Sequence, residues 1–247
     1  MDSNQTNSVV RDGHRRAIKQ VENAEAYRKT RDLYREALGG VDVFLRPTDD
    51  GFTVLSLDAD NCPSMIGVGA RGSKEHTISS LPPDWTIVQK AVEGYQAKRG
   101  SMKRASSEEA YALRLISSAL ADGLALGPGF FITQEWRLPS SGTVDLVCAD
   151  PSNRHLIVIE LKKSEHEAHM VGGKKGGNAW DQARSYADKI YQHRQELYPF
   201  FERLGRALAQ NHDAPAEMRE LTLDPDQKPS ILVSWPGGKF SMRESSY

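Results

Sequence analysis

Cysteine is scarce in this chain: Cys62 and Cys148 are the two among 247 residues. Two thiols cannot make a zinc cluster by themselves, and nothing in the sequence supports a disulfide between them. Two free thiols in a reducing cytoplasm are expected. Long apolar runs are also missing. No stretch approaches the roughly 18 apolar residues of a membrane span, and Met1-Asp2-Ser3-Asn4-Gln5 lacks the apolar run of a signal peptide. A cytoplasmic location without a membrane partner is the expectation. An excess of one charge is absent as well: 32 basic residues face 33 acidic ones, for a net charge of −1. This balance neither announces nor excludes a nucleic-acid partner, because only the contact face must neutralise phosphates. There is no internal repeat.

What is present fits a folded, soluble protein, with 38% hydrophobic and 26% charged residues. The length allows one large domain, or a core of roughly 150 residues with a smaller companion. Residues 1–8 read as a polar tail. A long helix is expected over Val9–Leu38, stopped by Gly39-Gly40. Strands at Val41–Leu45 and Phe52–Leu57 flank a hairpin turn at Pro47-Thr48-Asp49-Asp50-Gly51. Residues 61–83 read as loop with one strand at Ser64–Val68, and Trp85–Lys98 as a short helix. Gly100-Ser101-Met102-Lys103-Arg104 looks like a linker, dividing an N-terminal α+β region (1–100) from a second part (101–247).

The second part is more regular. Ser106 or Ser107 caps a helix that carries Glu108-Glu109 in its first turn, passes Leu113, Ile116 and Leu120, and ends at Asp122-Gly123. Three strands follow, Phe131–Leu138, Thr143–Ala149 and His155–Lys162, with turns at Ser140-Ser141-Gly142 and Asp150–Arg154. Residues 164–178 form a loop. A helix starts near Ala179, Pro199 separates it from another over Phe200–Ala209, and Ser230–Trp235 is a last strand. The expected class is α+β (α/β), with a mixed central sheet flanked by helices.

Chemistry enters on the third of those strands. Leu156–Lys162 is almost continuously apolar, as for a strand buried on both faces. With period two, Ile157, Ile159 and Leu161 share one face while Val158, Glu160 and Lys162 share the other. Charges at the end of a core strand are costly unless paired or bound to metal. The preceding strand repeats the anomaly with Asp145 between Val144 and Leu146. Asp145 lies seven residues before Ser152, the centre of the turn, and Glu160 eight after it. An antiparallel hairpin brings such positions almost opposite each other, with Cβ atoms roughly 4.5–5.5 Å apart. Two carboxylates that close repel unless a cation lies between them. Mg²⁺ suits the place, because it prefers hard oxygen ligands and keeps waters for substrate. Lys162 points to the same side and can hold a nucleophilic water or stabilise charge on a phosphate. The plainer alternative is a buried salt bridge of Lys162 with Asp145 or Glu160.

Gly142-Thr143-Val144-Asp145-Leu146-Val147 followed by Val158-Ile159-Glu160-Leu161-Lys162-Lys163 resembles the PD-(D/E)XK nuclease superfamily, the restriction-endonuclease-like fold. The resemblance covers roughly 130 residues, Ser106 to Trp235, and implies an αβββαβ core. It implies that Asp145 and Glu160 bind a divalent metal, Mg²⁺ or Mn²⁺, and that Lys162 assists catalysis. It also implies a helix carboxylate as a further metal ligand, Glu109 with Glu108 as the close alternative; the plainer role for that pair is stabilisation of the helix N-terminus. The proline that names the motif is absent, with Val144 in its place. The wording is similar to that of the archaeal NucS-type repair endonucleases, where a following helix carries a Gln and a Tyr. Gln182 and Tyr186 stand four apart, on one helix face, and Gln182 could order a metal-bound water or touch a phosphate.

Lys174 and Lys175, amid four glycines, are candidates for a phosphate clamp, and Lys163 and Tyr186 are candidates for further nucleic-acid contacts. Residues 162–206 hold nine basic and six acidic residues, a modest excess. His166 and His169 are read as surface residues and Trp180 as a packing residue. The expected activity is a metal-dependent endonuclease acting on nucleic acid, DNA ahead of RNA, in repair, restriction or anti-phage defence. A homodimer is the analogy from nucleases that cut both strands. The alternative is a catalytically silent module on the same fold, binding nucleic acid or protein.

Overall fold

The computed structural model describes residues 8–48, 51–58, 65–66, 80–99, 107–138, 142–169, 178–238 and 241–243. The chain is mixed α+β. Its N-terminal part contributes α1 (Asp12–Val21), α2 (Ala24–Ala37), β1 (Val43–Thr48), β2 (Gly51–Ser56), β3 (Met65–Ile66) and α3 (Trp85–Arg99). Then come α4 (Ser107–Ala121), β4 (Ala125–Leu126), β5 (Gly129–Leu138), β6 (Gly142–Asp150) and β7 (His155–Leu161). The rest comprises α5 (Glu165–His169), α6 (Ala179–Gln192), α7 (Arg194–Asn211), α8 (Ala216–Arg219), β8 (Ser230–Ser234) and β9 (Ser241–Arg243).

The helix expected over Val9–Leu38 is two helices. The Asn23 side chain accepts the Ala26 N–H at 3.2 Å and so starts a new helix two residues after the first ends. The expected stop holds: Gly39 and Gly40 take φ of +69° and +100°, and the Gly40 N–H closes back on the Arg35 carbonyl at 2.8 Å. The hairpin turn is tighter than expected, since Thr48 already pairs with Gly51 and Pro47 sits within β1 opposite Phe52. β1 is an edge strand, where proline costs no ladder bond to a further neighbour. The expected linker at 100–104 lies outside the described residues.

The main sheet has the order β4-β5-β6-β7-β8-β9, with β7 and β8 parallel and all other neighbours antiparallel. Its centre is apolar on both faces: Leu146, Val147, Cys148, Ile157, Val158, Ile159, Leu232 and Val233 are buried. The parallel return needs a crossover, and α6, packed on both β7 and β8, supplies it. Pro199 does not divide two helices. The break falls earlier, at His193, whose N–H still bonds to the Lys189 and Ile190 carbonyls, and Pro199 lies inside α7 with its ring exposed. As the sixth residue of α7, Pro199 forgoes the backbone bond to Gln195 and crowds that carbonyl, yet the helix continues through it. α5 stands where a loop was expected over 164–178, and the two-residue β4, β9 and the short α8 are additions that sequence pattern did not suggest.

The N-terminal elements pack directly on this second part. α1 and α2 lie against α7. The rings of Phe44 on β1 and Phe131 on β5 meet edge-on at 5.2 Å between centroids. Asn211 donates to the Val21 carbonyl at 3.1 Å, and Arg203 reaches Glu22 at 2.9 Å.

Candidate functional site

The β6–β7 hairpin sets the geometry. Its backbone pairs run from Asp150↔His155 to Leu146↔Ile159, so one further step places Asp145 opposite Glu160. There the carboxylate replaces the ladder: the Leu161 N–H donates to Asp145 Oδ2 at 2.7 Å. Glu160 is only 3% exposed. Lys162 Nζ donates to its Oε1 at 2.5 Å, while its Oε2 is buried with no hydrogen-bond partner. Lys162 is held from behind, its N–H donating to the Ser234 carbonyl on β8 at 2.9 Å. Ser234 also shares a 2.7 Å hydrogen bond with the Tyr111 hydroxyl, which ties α4 to the same strand end.

The electrostatics follow from two buried carboxylates sharing one ammonium. Burial pushes Glu160 up to about 8, the neighbouring Asp145 adds to this, and Lys162 opposes it. Burial likewise pushes Asp145 up, against the Leu161 N–H and Lys162, which favour its charge. Burial alone would lower Lys162, but Glu160 and the other carboxylates more than offset it, so its ammonium is held above the usual range. Glu108 on α4 is pushed up, by burial first; Lys162 opposes the shift, and Asp145 and Glu167 add to it. The charges of Lys162 and Asp145 on the strands thus reach Glu108 on α4. Glu109 borders the same cavity, of about 250 Å³, together with Glu108, Gln134, Glu135 and Asp145.

Gln182 and Tyr186 share one face of α6, and the buried Tyr186 lies beside the carboxylates. Burial, then Glu160 and Asp145, push its hydroxyl up. Gly142 makes this approach possible: its φ is +94°, and a Cβ there would lie 3.0 Å from the Tyr186 hydroxyl oxygen. α6 is aimed by the Asn178 side chain, which accepts the Asp181 N–H at 2.9 Å. Lys163 is not gathered into the cluster; it is exposed and ion-paired with Glu167 at 2.6 Å. Lys174 and Lys175 lie outside the described residues, as does Cys62. Cys148 is a free, buried thiol whose pKa burial pushes up. His169 packs its ring on Trp235 at 5.3 Å, and Trp180 is buried.

Besides Tyr111 and Ser234, three residues at the site, Gln134, Glu135 and Arg46, were not singled out in the sequence. Gln134↔Leu146 and Trp136↔Val144 bracket a pair in which Glu135 stands opposite Asp145. Glu135, Asp145 and Glu160 therefore form one row across β5, β6 and β7. Glu135 stands five residues before Ser140 and Asp145 five after it, the same symmetry about a turn that Asp145 and Glu160 show about Ser152. Gln134 is buried, borders the cavity, and its Oε1 has no hydrogen-bond partner. Arg46, from β1, is ion-paired with Glu135, and no local sequence signal leads to it.

Among the described residues, no three His, Cys, Asp or Glu side chains form a ready-made metal cage. The donor set fits a different kind of site. Mg²⁺ is commonly held by one or two carboxylates, with water and substrate oxygens completing its shell. Two opposed carboxylates and an unpartnered buried oxygen on Glu160 meet that description. No family model, curated protein or solved structure matches this chain.

Proposed function

We propose that this chain is a metal-dependent endonuclease that hydrolyses phosphodiester bonds in nucleic acid, DNA ahead of RNA. The observation that carries the reading is the opposition of Asp145 and Glu160 beside Lys162, with one Glu160 oxygen buried and unpartnered. A structural ion pair needs one carboxylate for one ammonium; here a second carboxylate faces the first and both are driven toward protonation. A divalent cation relieves that conflict. The order α4, β5, β6, β7, α6, β8, with β8 parallel to β7, supports the restriction-endonuclease-like core that the sequence resemblance implies.

In this reading Asp145 and Glu160 would hold Mg²⁺ or Mn²⁺, with Glu108 or Glu109 approaching from α4. The ion, when bound, would polarise the phosphodiester and ease deprotonation of an attacking water. Lys162 remains an ammonium and donates hydrogen bonds; it orients the water and stabilises negative charge developing on the phosphate. Leu161 N–H fixes one Asp145 oxygen and leaves the other for the cavity. Tyr186, backed by Gln182, closes the side of the site over β6.

The test is cleavage by purified protein of supercoiled plasmid, linear duplex, single-stranded DNA and RNA, with Mg²⁺, Mn²⁺ or EDTA, beside Glu160→Ala. Metal-dependent cutting that is lost in the variant supports the nuclease. Cutting that survives EDTA or Glu160→Ala overturns it, as does a folded protein that cuts nothing. The 2.5 Å Lys162–Glu160 contact favours the competing reading, a purely structural ion pair. That reading requires Lys162→Met to change stability and leave any cleavage intact.

A further inference from the structure

Gln134 on β5 carries a buried amide that the fold leaves unanswered. It pairs opposite Leu146 on β6 and is only 6% exposed. A polar side chain at such a depth is ordinarily hydrogen-bonded, because leaving it unpaired costs the full desolvation of the group. Yet Gln134 Oε1 has no hydrogen-bond partner. The residue borders the cavity of about 250 Å³ on which Asp145 also lies. Beside it the strand departs from regular extension, with Glu135 at φ of +48°, and the two neighbours border the same cavity. The other polar side chains of that border are the carboxylates of Glu108, Glu109, Glu135 and Asp145; the rest are aliphatic. Ionised carboxylates accept hydrogen bonds and donate none. The Lys162 ammonium is engaged by Glu160. Side chains that only accept cannot satisfy one more acceptor, so the donor has to arrive with whatever fills the cavity.

We propose that Gln134 is a positioning residue for a hydrated divalent cation in this cavity, its amide oxygen accepting a hydrogen bond from a water of the ion's shell. This rests on the nuclease reading above, in which the strand carboxylates hold the ion. Mg²⁺ dehydrates reluctantly and keeps several waters. At about 30 Å³ each, several fit beside the ion in a space of this size. Those waters bring the donors that the border lacks. An amide also suits the place better than a further carboxylate would. It offers an oxygen without adding negative charge to a border that already carries four acidic side chains and has to admit a phosphate. Gln134 thereby fixes the shell from the β5 side, which no other residue there is placed to do without adding charge.

The experiment measures Mn²⁺ affinity by titration calorimetry, and metal-free thermal unfolding, for the wild-type chain, Gln134→Leu and Gln134→Met, with cleavage in Mg²⁺ followed on the same preparations. Both variants are expected to weaken Mn²⁺ binding about tenfold, as the loss of an outer-shell partner does. Their metal-free melting temperature is expected to stay the same or rise, because an unpartnered buried amide has been replaced by an apolar side chain of similar size. This split is what a merely structural glutamine would not produce: it would lower the melting temperature and leave Mn²⁺ affinity alone. Folded variants that bind Mn²⁺ as the wild type does overturn the proposal. So do variants whose melting temperature falls together with their affinity, since the amide then serves the fold. Should Gln134→Leu fail to fold, Gln134→Met, which keeps the length of the side chain, decides alone by the same two readings. A wild-type protein that binds Mn²⁺ and cuts while the variants bind equally well removes only this proposal. A wild-type protein that neither binds Mn²⁺ nor cuts removes the nuclease reading and this one with it.

Discussion

Two buried polar clusters sit in this molecule and are built on opposite principles. At the junction of α2, β1 and the end of α7, Arg31 holds Asp42 through two hydrogen bonds of 3.0 and 3.2 Å and approaches His212 Nδ1 at 3.3 Å. One cation meets one anion, and the imidazole beside them stays neutral, its pKa pushed down to about 3 by burial and by Arg31. At the end of β7 the charges do not balance: Asp145, Glu160 and Glu108 converge on Lys162 next to an open cavity. The first arrangement balances its charge from within, although Arg31 Nε and His212 Nε2 are buried without a hydrogen-bond partner. The second carries more carboxylates than cations beside a cavity, and that excess of buried charge is what the proposed metal site would use.

That contrast is sharpest where stability and activity are made to move apart. Replacing Glu160 by Gln keeps an acceptor for Lys162 but removes an ionisable group held near 8. Cleavage is expected to fall on the order of 10³-fold. Thermal stability without metal is expected to rise, by about 1 kcal/mol, because a strained functional charge is gone. A loss of stability together with retained cutting would place this cluster in the same class as the Arg31 cluster.

The Arg31 cluster predicts an acid-side response. His212 has an ordinary pKa of 6.5 and a folded one of about 3. The unfolded chain takes up a proton as pH drops below the first value, while the folded chain does not until the second. Its contribution to stability is therefore whole above pH 6.5 and is lost as pH falls toward 3, by up to about 1.4 kcal/mol per unit. Chemical denaturation between pH 7 and 4 should show His212→Gln with a flatter decline than wild type. Next in size is Asp42→Ala. Asp42 is partly exposed, so unfolding should shift by about 1–2 kcal/mol with kcat on DNA unchanged. The smallest effect on stability is expected at Gly142. Alanine there takes on an unfavourable positive φ at a cost of about 1 kcal/mol and crowds the Tyr186 hydroxyl. Cleavage should suffer more than the melting temperature.

The hairpin that carries Asp145 and Glu160 was legible because it is local. Period-two alternation and a short turn leave one register, and burial of Leu146, Val147, Ile157 and Ile159 fixes it. That Gln182 and Tyr186 lie on one face of α6 was legible for the same reason, through helical spacing. Glu135 obeys the same counting across the preceding turn, yet its strand reads Thr133-Gln134-Glu135-Trp136-Arg137, polar enough to hide one carboxylate among its neighbours. Arg46 and Ser234 have no local signature at all; each reaches the site through packing between elements distant in sequence. The split at Asn23 and the unbroken α7 through Pro199 show the other limit. A single side-chain acceptor can start a helix where composition suggests continuity, and a proline near a helix start need not end one.

The bond between the Lys162 N–H and the Ser234 carbonyl joins strands 72 positions apart along the chain. Parallel pairing of such separated segments is slow and comes late in folding. During synthesis the Asp145–Glu160 hairpin leaves the ribosome well before β8 exists, so the carboxylates are formed while the lysine still lacks its backbone anchor. The carboxylates are thus placed before the lysine, and the arrangement around Lys162 is complete only once β8 has docked.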